Sequence, residues 1–160
     1  MTLEPCTFSA EQMNQLRENL KTIEAYFSMT GQDRARRWEL YCEDCKSGGG
    51  ERVLGHGLAQ QKELELRNAK DFPDWAWRGN VYLFSDDPNY IVVQNTGFGT
   101  CMLGKDAPTY QESPYFHSFT MEGGKIKEYQ EHMLKVMPDM PEAAEGLPDH
   151  MNTETTQRKE

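Results

Sequence analysis

No stretch of this chain approaches the roughly 20 consecutive apolar residues that a membrane-spanning helix needs, so no membrane segment is expected. Basic charge is also scarce. Seventeen Lys and Arg stand against 26 Asp and Glu, a net charge of −9, which argues against a nucleic-acid surface built on clustered cations. The one dense basic run, Arg34, Arg36 and Arg37, is surrounded by Asp33, Glu39, Glu43 and Asp44, and reads first as a solvated helix face. The opening MTLEPCTFSAEQ lacks the charged-then-apolar order of a secretory leader, which makes the cytoplasm the expected location. Cysteines are few, and Cys42-x-x-Cys45 has no second pair and no well-spaced His pair to complete a zinc site. No metal site is expected, and the thiols read as reduced and structurally neutral. Internal repeats are absent.

What is present fits one domain over residues 1–140, followed by a Pro-, Glu- and Thr-rich tail over 141–160 that should be disordered. Ser9 and Gln12 have capping-box spacing, and Met13, Leu16, Leu20, Ile23 and Phe27 follow as one apolar helical stripe. A second helix is predicted over 32–44, a flexible loop over 46–50, and a third helix over 57–70. Beyond Phe72 the pattern changes to strands: 75–84, 90–100, a short piece near 101–103, 113–121 and 126–136. Helices followed by an antiparallel meander imply an α+β fold, with about three N-terminal helices closing a curved, cone-shaped, mostly antiparallel sheet. A cone of this kind encloses a pocket.

The last hairpin carries the most chemistry. Gly123-Gly124 suits a tight two-residue turn, and that turn alone would pair Met121 with Ile126 and Phe116 with Glu131. One face would then hold Phe116, Ser118, Tyr129, Glu131 and Met133; the other would hold Tyr115, His117 and Phe119. A carboxylate among Phe, Tyr and Met is poorly solvated, which raises its pKa toward values useful in acid–base chemistry. Glu131 is therefore the first catalytic candidate. The same residue also reads as a solvated edge Glu paired with a cation, and a bulge would flip its face.

Several blocks then occur in order: GQDRARRWEL at Gly31–Leu40, Glu43-Asp44, FPDWAW from Phe72, Asp87-Pro88-Asn89, Tyr110 with Glu112, His117-Ser118-Phe119, Gly124-Lys125-Ile126-Lys127, and Glu131 with Met133. Over roughly residues 15 to 135 this set resembles the phenazine-biosynthesis A/B family, within the nuclear transport factor 2-like and ketosteroid isomerase-like superfamily. The resemblance implies a cofactor-free homodimer, or a heterodimer with a paralogue. It also implies a role in joining two amino-oxo-cyclohexene carboxylic acid molecules head to tail into a tricyclic phenazine precursor. It places the family's catalytic Glu at Glu131. The family's second polar group, a His after a Gly, falls on His56 if two residues are inserted before FPDW; without a gap Leu58 takes that place. The substrate-binding Arg maps best onto Arg37, with helix-surface pairing to Asp33 or Glu39 as the other reading. Ser118 and Tyr129 share the predicted face of Glu131, and Trp77, Tyr110, Phe116 and Trp75 are candidate walls. His117 is read as interface or structure.

The chain departs from the family pattern in a short Gly-rich loop after Asp44, in Gln94 and Thr96 where acidic residues are common, and in 104–109. Two other functions therefore stay open: a cyclase or isomerase of another small carbonyl compound, and a non-catalytic ligand-binding paralogue.

Overall fold

The computed structural model describes residues 7–49 and 52–133. It comprises α1 (Ala10–Ser28), a 3-10 helix (Gly31–Leu40), β1 (Tyr41–Gly49), β2 (Arg52–His56), α2 (Leu58–Asp71), β3 (Ala76–Phe84), β4 (Tyr90–Cys101), β5 (Thr109–Glu122) and β6 (Lys125–Met133). The strands form one six-stranded sheet in the order β2-β1-β6-β5-β4-β3. Every neighbouring pair is antiparallel except β1 with β6. The sheet is curved but not closed, and the three helices pack on it, as the pattern of the sequence predicts. The tail over 141–160, and the ends of the predicted loop and last strand at 50 and 134–136, lie outside the described residues.

The capping box forms as read. Gln12 N–H donates to Ser9 Oγ at 3.2 Å and Ser9 N–H to Gln12 Oε1 at 2.9 Å. α1 then lies across the sheet and is tied to the β3–β4 and β5–β6 connections. Asn19 Nδ2 donates to Pro88 O at 2.9 Å, and Thr22 Oγ1 to Gly124 O at 2.5 Å. Its Leu16, Ile23, Tyr26 and Phe27 enter a core with Ile91, Val93, Phe119 and Ile126.

The region after Trp38 differs from its prediction. The second helix is 3-10 and stops at Leu40, and residues 41–49, expected as helix end and flexible loop, form β1. Burial of Tyr41, Cys45 and Ser47 follows strand alternation, and β1 is held by β6 on one side and β2 on the other. Pairing partners distant in sequence thus override a polar segment with little strand propensity of its own. The CxxC lies within this strand, and Cys42, Cys45 and Cys101 are free. β4 ends at Cys101 without a further strand at 101–103, and β5 begins at Thr109 rather than near Ser113.

The Phe72-Pro73-Asp74-Trp75 motif makes a corner. Asp74 accepts from Thr100 N–H at 2.6 Å and from Thr100 Oγ1 at 2.8 Å, which fixes the start of β3 against the end of β4. Gly97 lets Trp75, Trp77 and Tyr115 close together, since a Cβ there would stand 2.6 to 2.9 Å from all three rings.

Candidate active site

The Glu122 to Lys125 turn is tight, with both glycines at positive φ (57° and 76°). The register nevertheless shifts between Thr120 and Met121: Met121 pairs with Ile126 but Thr120 with Glu128, so Lys127 is an extra residue. This bulge reverses every side chain of β6 beyond it relative to β5. Glu131 consequently pairs with His117, and Phe116 with His132. The inner face carries Tyr115, His117, Phe119, Tyr129 and Glu131, while Phe116 and Ser118 go to the outer face, half-buried. The placement of Phe116 and Ser118 beside Glu131 is thereby corrected, as is that of His117 on the outer face.

The inner face and the helices enclose a cavity of about 180 Å³. Its sheet wall is Trp75, Trp77, Tyr115, Tyr129, Glu131 and Met133; its helical wall includes Arg34, Gln61, Leu64, Glu65 and Asn68. The rings meet edge to face, with Trp77 and Tyr115 centroids 5.1 Å apart at 83°, a geometry that aromatic pairs prefer.

Glu131 stands in this wall. Its side chain keeps 34% of its accessible surface because it faces the cavity. Burial pushes its carboxyl above the ordinary carboxylate range, opposed by the hydrogen bond from Tyr129 and by the charges of Arg34 and Arg37. Tyr129 Oη donates to Glu131 Oε2 at 2.8 Å and lies 2.8 Å from His117 Nδ1. His117 Nε2 lies 2.9 Å from Asn95 Oδ1, and Asn95 Nδ2 donates to Asn80 Oδ1 at 3.0 Å. His117 has no exposed surface, and burial lowers its pKa to about 3, so its imidazole is neutral. A hydrogen-bonded row thus runs from the cavity through Tyr129 and His117 to the edge strand β3.

The remaining candidates divide. Trp77 lines the cavity, with its Nε1 buried and without a hydrogen-bond partner among the described residues. Tyr110 is 65% exposed on the outside of the sheet end and bonds Glu112 at 3.2 Å, so it is no wall. Arg37 is buried but outside the lining: Nη2 donates to Met29 O at 2.7 Å and the guanidinium lies 4.3 Å from the Tyr26 ring centroid. The arginine that lines the cavity is Arg34. His56 ends β2 as an exposed residue, its backbone N–H bonded to Gln60 Oε1 at 3.0 Å, and it does not reach the lining. Leu58, the ungapped alternative, packs against the core.

Comparison with known proteins places this architecture. The family described as phenazine biosynthesis protein A/B matches residues 5–148. The chain belongs to the phenazine biosynthesis A/B family. It is 40% identical to the phenazine biosynthesis protein PhzB of Pseudomonas fluorescens over 73% of this chain and 75% of that protein. With PhzB1 of Pseudomonas aeruginosa it shares 37% identity over 82% and 84% of the two chains. The crystal structure of the phenazine biosynthesis-related protein PhzB2 of Pseudomonas aeruginosa superposes with a TM-score of 0.73 at 30% identity, covering 86% of this chain and 97% of that one. An NTF2-like protein of Anabaena variabilis shares the fold at a TM-score of 0.66 and 15% identity, covering 82% of this chain and 97% of that one.

In this phenazine biosynthesis A/B chain, the cavity residues not anticipated from sequence include Arg34, Gln61 and Glu65. The spacing of Gln61, Leu64, Glu65 and Asn68 follows one helical face, but their polarity hid it. On the same helix Leu66 is 50% exposed.

Proposed function

We propose that this chain is an enzyme of phenazine biosynthesis that accelerates the condensation of two amino-oxo-cyclohexene carboxylic acid molecules. The observation that carries this reading is the position of Glu131: an enclosed carboxyl in an aromatic cavity, with one oxygen held by Tyr129. In the condensation, an amine nitrogen adds to a ketone carbon to give a carbinolamine. Loss of the hydroxyl as water, and of the nitrogen's proton, then leaves an imine. Glu131 as a carboxylic acid protonates the departing hydroxyl; as a carboxylate it takes the nitrogen's proton. Burial raises the Glu131 pKa and so favours the acid form that the dehydration uses, and general acid–base help of this kind is worth about 10²–10⁴-fold. The flat walls of Trp77 and Tyr115 suit cyclohexene rings, and holding two reactants together adds the entropic gain of proximity. Arg34 supplies a cation for the substrate carboxylate.

The outer face supports a homodimer, or a pairing with a paralogue. Val81 and Leu83 of β3 are about half exposed, and they pair with Gln94 and Val92 of β4 next to Phe116 and Ser118 of β5, a contiguous patch with apolar members.

The deciding measurement is the rate of tricycle formation from freshly generated aminoketone, with the native chain and with Glu131→Gln. Acceleration lost in a folded variant supports the condensing role. Absence of acceleration by the native chain sinks it and favours ligand binding without turnover, a reading consistent with the position of His56 outside the cavity.

A further inference from the structure

α2 carries a second carboxyl into the same cavity. Glu65 is only 2% exposed, and its Oε1 accepts from Gln61 Nε2 at 2.9 Å. The orientation of that amide is fixed from behind. Ser47 Oγ donates to Gln61 Oε1 at 2.6 Å, and in this arrangement the amide nitrogen turns toward Glu65. Gly55 makes room for this clamp, because a Cβ there would stand 2.7 Å from Ser47 Oγ and 2.8 Å from Gln61 Oε1. One oxygen of Glu65 is therefore committed as an acceptor. The other, Oε2, is buried and has no hydrogen-bond partner among the described residues. Such an oxygen is costly as a bare anion, and its complement is a proton or a hydrogen-bond donor; Glu65 lines the same cavity as Glu131, from which a ligand can bring one.

The geometry points to Glu65 as a second acid–base group, acting with Glu131 on one bound ligand, each carboxyl in the protonation state opposite to the other's. This deepens, and rests on, the reading of the cavity as a condensation site. Carbinolamine dehydration needs one proton delivered to oxygen and one removed from nitrogen. If Glu65 delivers and Glu131 removes, Glu65 ends as carboxylate and Glu131 as acid. Two imine bonds must form for each tricycle, so the second dehydration, run in the reverse sense, restores the starting state. Two protons are given, two are taken, two waters leave, and no solvent proton is required.

The surroundings of Glu65 suit such a pair. Arg34 and Arg37 face it from the 3-10 helix and favour its charged form, while Glu131 on β6 favours its neutral form. Tyr26 on α1 and Tyr41 on β1 are within electrostatic reach, and Gln61 is the neutral partner on its own helix. Burial is the largest influence and raises the pKa of Glu65.

The test has two arms. Carboxyl NMR of the free protein follows Glu65 and Glu131 in the native chain and in the variants Glu65→Gln and Glu131→Gln, which needs no substrate. Both groups should titrate above the ordinary carboxylate range, and removing either charge should lower the midpoint of the other. A Glu65 midpoint at the ordinary value, or one unmoved by Glu131→Gln, overturns the proposal even if condensation is observed. In the kinetic arm Glu65→Gln, checked for folding, should lower the condensation rate by about 10²-fold or more and remove one limb of the pH–rate profile. Gly55→Ala, which unseats Gln61, should weaken catalysis with Glu65 still present. A folded Glu65→Gln with the native rate and both limbs intact overturns the pairing. A native chain without condensation removes the proposed function, and the titration arm then decides by itself whether Glu65 and Glu131 are a coupled pair.

Discussion

Tyr129 Oη stands 2.8 Å from Glu131 Oε2 and the same distance from His117 Nδ1, and it owns a single proton to share between them. The polarity of the row therefore depends on the charge of Glu131. In one of its two polarities Asn95 Oδ1 accepts from His117 Nε2–H, and Nδ1 accepts from Tyr129. Tyr129 Oη can then only accept from Glu131, which must be protonated. When Glu131 is ionised, Tyr129 donates to it, Nδ1 carries the hydrogen, and the Asn95 amide must turn so that Nδ2 meets Nε2. Nitrogen-15 chemical shifts of His117 should accordingly report an Nε2–H tautomer at low pH and an Nδ1–H tautomer above the Glu131 midpoint. A tautomer that does not change with pH would refute the coupling.

Tyr129→Phe should separate the two groups. The hydroxyl stabilises the ionised form of Glu131, so its loss leaves burial less opposed and the Glu131 midpoint rises further. Carboxyl titration of this variant against the native chain reads the sign directly. A fall in the midpoint would mean that Tyr129 acts mainly as an acceptor toward Glu131.

His117 also sets an acid limit on stability. Its folded pKa of about 3 lies below the ordinary 6.5, so between these values the unfolded chain binds a proton that the folded chain does not. This contribution is fully present above pH 6.5 and is lost as pH falls toward 3. At pH 4.5 the loss is roughly 2–3 kcal/mol by linkage. Glu65 and Glu131 act in the opposite sense, because their raised pKa values let the folded chain hold protons first as pH falls through them. The comparison with His117→Gln isolates the imidazole: urea unfolding at pH 7 and pH 4.5 should show a smaller acid loss in the variant. An equal loss in both proteins would place the acid sensitivity elsewhere.

Much of this fold is legible in the chain, for reasons that particular residues make plain. Ser9 and Gln12 are a local signal that nothing distant contradicts, and the Gly123-Gly124 turn is equally local. β1 was invisible because its order comes from β6 and β2, not from its own polar residues. At the site, Glu131 was found by the right criterion but in partly wrong company. Nothing in the identity of Lys127 announces a bulge, yet that one residue exchanges Phe116 and Ser118 for Tyr115 and His117 beside it. Glu65 was missed because a buried Glu on a helix face reads as a solvated one until its neighbours are seen.

The aromatic wall depends on the missing side chain at Gly97. A methyl there would meet Trp77 at 2.6 Å and Trp75 and Tyr115 at 2.9 Å, all ring atoms of buried or half-buried groups that have little room to retreat. Gly97→Ala should therefore destabilise the chain by about 1–3 kcal/mol and displace Trp77 into the cavity. Thermal unfolding and the tryptophan near-ultraviolet signal check this together. An unchanged Tm with an unchanged aromatic spectrum would show that the wall is looser than its contacts indicate.

The two buried arginines should separate by what they damage. Arg37 is spent on Met29 O and on the face of Tyr26, so Arg37→Lys trades a fitted planar cation for a point charge inside the core. That should cost about 1.5–3 kcal/mol, the scale of a charge-assisted hydrogen bond, with little effect on the KM of the folded fraction. Arg34 lines the cavity with its Nε buried and without a hydrogen-bond partner among the described residues, while Nη1 reaches Phe72 O at 3.4 Å and the guanidinium lies 5.9 Å from the Phe72 ring centroid. Arg34→Lys should cost less stability than Arg37→Lys and raise KM for a carboxylate substrate about ten-fold, equivalent to ~1.4 kcal/mol. Paired measurements of unfolding free energy and KM on both variants test the assignment. If Arg37→Lys alters KM while Arg34→Lys alters only stability, the carboxylate is held by Arg37, as the sequence pattern first indicated.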